Sequence, residues 1–124
     1  LMRRFALARV LFVSLLLAVL RWLIIALCGA DLWWLVPAQL LHAASYGSFH
    51  AASIAWVQDT FGEAHAGQGQ ALYSSLGYGA GWALGAGLSG LYWARWGADS
   101  FLVAAATAAV AALVVWRWLL NRRC

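Results

Sequence analysis

The run Phe5-Ala6-Leu7-Ala8-Arg9-Val10-Leu11-Phe12-Val13-Ser14-Leu15-Leu16-Leu17-Ala18-Val19-Leu20-Arg21-Trp22-Leu23-Ile24-Ile25-Ala26-Leu27-Cys28 is broken by formal charge only at Arg9 and Arg21. A membrane-crossing helix needs about 20 mainly apolar residues, and this run supplies them. It is too long for the apolar core of a cleaved secretory signal, about 7–15 residues, although Arg3 and Arg4 stand before it. The rest of the 124-residue chain has the same character: 65% of its residues are apolar and 10% charged, against about 45–50% and 25% in soluble domains. So sparse a charge, despite a net +4, excludes a nucleic-acid-binding surface and leaves a polytopic membrane protein.

Three further apolar stretches follow, Leu32 to Val57, Ala66 to Trp93 and Ser100 to Leu120. The breaks between them fall at Gly29-Ala30-Asp31, at Gln58 to Glu63 and at Ala94 to Asp99, with the glycine and acidic residues expected where a chain turns in water. Backbone groups in hydrocarbon must be satisfied within their own segment, and none of the stretches alternates with the period of two that a membrane β-barrel requires. The expected fold is therefore all-α: four membrane-spanning helices, at about 5–28, 32–57, 66–93 and 100–120, with successive helices antiparallel.

Arginine is retained on the cytoplasmic side of a membrane. Arg3, Arg4 and Arg9 lie at the start and Arg117, Arg122 and Arg123 at the end, leaving only Arg95 in a loop of the other face. Both termini are expected in the cytoplasm, at an inner (plasma) membrane of bacterial type. Trp33, Trp34, Trp93, Trp96, Trp116 and Trp118 sit at span ends, as interfacial tryptophans do. Cys28 and Cys124 then lie on opposite sides of the bilayer, beyond the roughly 7 Å that a disulfide can bridge.

The second stretch carries the clearest functional pattern. Gln39, His42, Tyr46, His50 and Ser53 follow at steps of three, four, four and three, which places all five on one helical face. Such a stripe belongs against a bundle interior or a water-filled path, and imidazole ordinarily changes charge near neutral pH, so proton handling or solute contact is expected here. Histidines eight residues apart do not suit a metal, and neither metal nor cofactor is expected. Arg21 is the one charge deep in a span. Counting from the turn near Ala30 puts Arg21, Gln39 and His42 at similar depth, roughly 13–18 Å below it at 1.5 Å per residue, and a hydrogen-bonded pocket is expected around them. In the third stretch Gly77, Gly81, Gly85 and Ser89 recur every fourth residue, a spacing that lets helix backbones touch in lipid and that suits packing or gating. Tyr73, Ser74, Ser75 and Tyr78 add polar groups that reach toward the cavity.

The segment from Gln39 to Ser53, with Gly67-Gln68-Gly69-Gln70-Ala71-Leu72-Tyr73-Ser74-Ser75-Leu76-Gly77-Tyr78-Gly79, resembles the tenth and eleventh helices of major facilitator superfamily permeases. The likeness is closest to the phenylpropionate permease-like branch, related to the lactose permease group. Arg21-Trp22 is similar to that branch's ninth helix, and Arg3-Arg4 to the basic link before it. The resemblance implies that these residues are helices nine to twelve of a twelve-helix transporter, a reading that Leu1 in place of an initiating Met also suggests. It implies proton-coupled symport of a small organic solute, such as an aromatic or other organic acid, with Arg21 and His42 facing the cavity. The partners it implies are the solute, protons, the bilayer and the preceding N-terminal helices of the same transporter. Where lactose permease-like proteins carry a carboxylate one turn after the tenth-helix histidine, this chain has Ser45 after His42. The alternatives are a complete four-helix exporter or channel and a non-transporting membrane assembly protein. With no hydrolytic triad or phosphate loop, the chain is not expected to be an enzyme.

Overall fold

The computed structural model describes residues 2–121, apart from the side chains of Met2, Arg3 and Phe5. Leu1, Arg122, Arg123 and Cys124, on which the expectations about the chain's start, its basic end and its second cysteine rest, lie outside the described residues. Among those described, all regular structure is helical. The helices are α1 (Met2–Cys28), α2 (Leu32–Phe61), α3 (Ala66–Ser74), α4 (Gly81–Trp96) and α5 (Ser100–Val115). A π turn, Ser75–Ala80, joins α3 to α4 so that the two form one rod, and a second, Trp116–Leu120, continues α5.

The first turn follows from its residues. Gly29 N–H closes α1 on the Ile25 carbonyl at 3.0 Å, and a Cβ at position 29 would run into that same oxygen. Asp31 then caps α2, its carboxylate accepting from Trp33 N–H at 3.0 Å, which satisfies one of the orphan donors of a helix start. The other breaks are narrower than the polar residues suggest. α2 continues through Gln58 to Phe61 and α4 through Arg95 to Trp96, and each stops at a glycine with positive φ, Gly62 at 71° and Gly97 at 56°. Polar side chains near a helix end reach water without any break in the backbone ladder, so the ladder ends only where a left-handed residue makes it end.

α1 and α2 form an antiparallel hairpin tied at several depths. At one end the Arg4 guanidinium donates from Nη2 to the Asp59 carbonyl at 2.6 Å, a cation on the negative end of α2. Midway, the Ser14 and Ser48 hydroxyls are bonded at 2.7 Å, a contact of the kind worth about 0.6 kcal/mol between membrane helices. α1 also packs along α5, whereas α4 meets α5 only sparingly. Among the described residues the buried ones are small: Ala8, Ala38, Ala52, Gly69, Ala105 and Ala112, with Leu11 and the serines Ser14, Ser45 and Ser53. Small side chains let backbones approach where lipid removes the hydrophobic drive between helices. Large apolar side chains instead point outward, with Trp33 85% and Leu27 75% exposed.

Two stretches are long and apolar enough to cross a membrane by length and composition, Ala6–Cys28 and Glu63–Leu120, the second interrupted by the turn at Gly97. α2 is 30 residues long, but its polar face dilutes its apolar content and it does not qualify on the same terms.

Candidate functional site

The polar stripe of α2 leads to a cluster of hydroxyls and rings. Tyr46 Oη donates to Tyr78 Oη at 3.0 Å, and Tyr78 Oη lies 2.7 Å from His50 Nδ1. The rings of Tyr46 and His50 stack at a 6.0 Å centroid separation with a 1° interplanar angle, as one-turn spacing on a helix allows. His42 continues the column, 5.6 Å from Tyr46. From the other side, Tyr73 lies 6.2 Å and Tyr78 5.6 Å from His50, and Trp82 is 6.3 Å from Tyr78.

The π turn brings Tyr73 and Tyr78 together. Residues five apart on an α-helix are about 140° apart around the axis. Across Ser75–Ala80 the ladder widens by one residue, with Gly81 N–H bonded to the Leu76 carbonyl, and such i→i+5 turns bring residues five apart toward one face. The two tyrosine rings meet edge to face at 6.0 Å and both turn to His50. Trp82 and the role of Tyr78 as the link between Tyr46 and His50 are additions that helical spacing does not reveal.

The remaining sequence candidates are distributed around this cluster. Gln39 and His42 are exposed and their side chains make no hydrogen bond among the described residues, while Ser53 is buried. Ser45 and Ser48 turn back to their own helix, Ser45 on the His42 carbonyl at 3.3 Å and Ser48 on the Ala44 carbonyl at 2.6 Å.

Arg21 does not join Gln39 and His42 in the expected hydrogen-bonded pocket. The hairpin register set by the Arg4 and Ser14 contacts puts it level with Leu41 and His42, yet its Cζ lies 3.7 Å from the Trp22 ring centroid. Its Nε is buried with no hydrogen-bond partner among the described residues. The adjacent aromatic face outcompetes the reach across to α2, because a guanidinium rests well on an indole. Trp22 in turn stacks on Phe101 at 5.7 Å, and Phe101 meets Trp93 edge-on at 5.9 Å, so Arg21 ends a ladder that crosses α1, α5 and α4.

The glycine face of the third rod is open. A Cβ at Gly77 or Gly85 would have nothing within 4 Å, and one at Gly81 would meet only the Leu76 carbonyl of its own helix at 3.2 Å. Gly85 and Ser89 line a groove of about 790 Å³ between α4, α5 and α1, floored by Trp22 and Phe101. Among the described residues no group of three histidine, cysteine or acidic side chains is placed to hold a metal, and Cys28 is a free thiol.

Helices with an alanine and serine interior, an apolar exterior and a column of polar rings define a helical membrane protein. The chain belongs to the MFS_1 like family, which it matches over residues 1–104. No curated protein and no solved structure matches it. Membership in this family points to transmembrane transport rather than to enzyme chemistry, and agrees with the major facilitator resemblance at the level of the family.

Proposed function

We propose that the protein carries a small organic solute across the membrane together with protons, as a symporter. The observation that carries this reading is the bonded column Tyr46, Tyr78 and His50 between otherwise apolar helices, since polar and ionisable groups at membrane depth mark solute and proton paths. Tyr46, His50, Tyr73 and Tyr78 form its centre, with Gln39 and His42 at one end and Ser53 at the other. Arg21, with a buried and unpartnered Nε, suits the carboxylate of an organic acid, and the aromatic ladder beside it suits a solute with a ring. The four rods correspond in this reading to helices nine to twelve of a major facilitator fold, with the phenylpropionate permease-like branch as the relation. The ends marked by Arg4 and Arg117 face the cytoplasm. The other partners are the bilayer and helices one to eight of the same fold. Gly77, Gly81, Gly85 and Ser89 serve as a face on which the third rod seats or slides.

Uptake of labelled 3-phenylpropionate and of short alkyl carboxylates by cells producing the protein, with and without a protonophore, tests the coupling. Accumulation of at least one of these solutes should collapse when the gradient is removed. Protein-dependent accumulation that persists unchanged would overturn it.

A further inference from the structure

The structure assigns to Tyr78 the task of holding His50 as a neutral Nε2–H imidazole with Nδ1 ready to accept a proton, and of completing a relay that runs from Tyr46 through Tyr78 to His50. This rests on the transport reading above and names the atoms through which its proton would pass.

A phenol hydroxyl has a single proton to donate. Tyr46 places its proton on Tyr78 Oη at 3.0 Å, so the proton of Tyr78 remains for the 2.7 Å contact with His50 Nδ1. Nδ1 is the nearest partner offered to that proton and is assigned as its acceptor, and a neutral imidazole that accepts at one nitrogen carries its hydrogen on the other. All the bonds of the chain therefore point the same way, toward His50. When a hydronium ion at Tyr46 gives up a proton to Tyr46 Oη and leaves as water, the proton of Tyr46 passes to Tyr78 and that of Tyr78 to Nδ1. One O–H bond breaks and one forms at each phenol, both phenols end neutral, and the net change is one proton moved from water to the imidazole. The imidazolium then donates from Nδ1 to Tyr78, and the chain points back toward Tyr46.

The titratable groups facing His50 are Tyr46 and, one turn beyond it, His42 on α2, and Tyr73 and Tyr78 on the third rod. No carboxylate or guanidinium is hydrogen-bonded to it among the described residues. The charge of the imidazolium is met instead by the Tyr78 oxygen and by the faces of Tyr46 and Tyr73, which attract a cation through their ring quadrupoles. The relay also depends on backbone shape. Tyr78 reaches His50 from within the π turn Ser75–Ala80, so straightening that turn would break the proton path.

Solid-state ¹⁵N NMR of the full chain in lipid, labelled at histidine, tests the assignment. The chain has three histidines, and His50→Gln identifies the signals of His50 by difference. The expected result is a protonated Nε2 and an unprotonated, hydrogen-bonded Nδ1. Tyr78→Phe should move Nδ1 to the position of an acceptor without a donor and leave His42 and His65 unmoved, which also reports that the variant is folded. A proton on Nδ1 of His50 in the neutral ring would overturn the proposal, as would a folded Tyr78→Phe variant with an unmoved Nδ1. Should Tyr78→Phe fail to fold, the tautomer of the unaltered protein decides alone. In the uptake assay above, Tyr78→Phe should lower gradient-driven accumulation of 3-phenylpropionate at least tenfold. Protonophore-insensitive uptake together with the expected spectra would count against the transport coupling and leave the hydrogen-bond order standing.

Discussion

Arg21 shows how a single charge is accommodated in an apolar helix. A charge at a helix centre costs about 2.5–3.5 kcal/mol on insertion scales, and here the guanidinium is spread over the Trp22 face while Nε keeps an unused donor. A ligand reaches that enclosed donor only when the side chain lifts from the indole. If Arg21 receives the solute carboxylate, Arg21→Ala removes charge-assisted hydrogen bonds worth about 1.5–3 kcal/mol, and KM for a transported acid should rise about tenfold or more with the protein still inserted. Arg21→Lys keeps the charge but neither the planar stack nor the paired donors, and should fall between the two. Initial-rate uptake at graded solute concentration checks this, and an unchanged KM in Arg21→Ala would return Arg21 to a packing role. The depth of Arg21 beside His42 was legible from a count along the hairpin. Its contact with Trp22 was not, because the choice between two neighbours at one depth is made by side-chain direction, which residue spacing does not encode.

At the scale of elements, the hairpin of α2 and α3 depends on one close approach. Gly69 is buried, and a Cβ there would lie 2.6 Å from Phe61 Cδ2 and 2.9 Å from Val57 Cγ1. Phe61 is met also at Cγ, 2.7 Å away near the root of its side chain, and Val57 is stiff at its branched Cβ, so Gly69→Ala should already destabilise the hairpin. Gly69→Leu should part the two helices and cost about 1–3 kcal/mol, as overpacking does. Thermal melts of the two variants in one detergent provide the comparison. The turns were legible for a similar local reason: Gly29 and Asp31 end one helix and cap the next, and Gly62 and Gly97 supply the positive φ. The π turn was not legible, because spacings of three and four test only for an unbroken α-helix. Read on that template, Tyr73 and Tyr78 fall on different faces. In the structure they share one, and the candidate site is centred there rather than along α2 alone.

For the molecule as a whole, stability comes from small residues brought close together. Among the described residues Ala8 and Ala38 are fully buried, and no large side chain is. Ala8→Leu or Ala38→Leu should therefore separate α1 from its neighbours and lower stability by about 1–3 kcal/mol. Leu27→Ala or Leu32→Ala, at outward positions, should change it by less than about 0.5 kcal/mol. Unfolding titrations in mixed micelles distinguish the two sets, and equal effects would contradict a small-residue interior.

That interior reverses the usual relation between size and vulnerability. In a water-soluble domain the conspicuous weak points are bulky residues, whose truncation leaves a void. Here the alanines and serines are the intolerant positions, and the outward aliphatic residues are exchangeable for anything that dissolves in oil. A map of permitted substitutions would trace the helix seams as lines where only the smallest side chains survive. Those lines would reveal which helices touch without any coordinates at all.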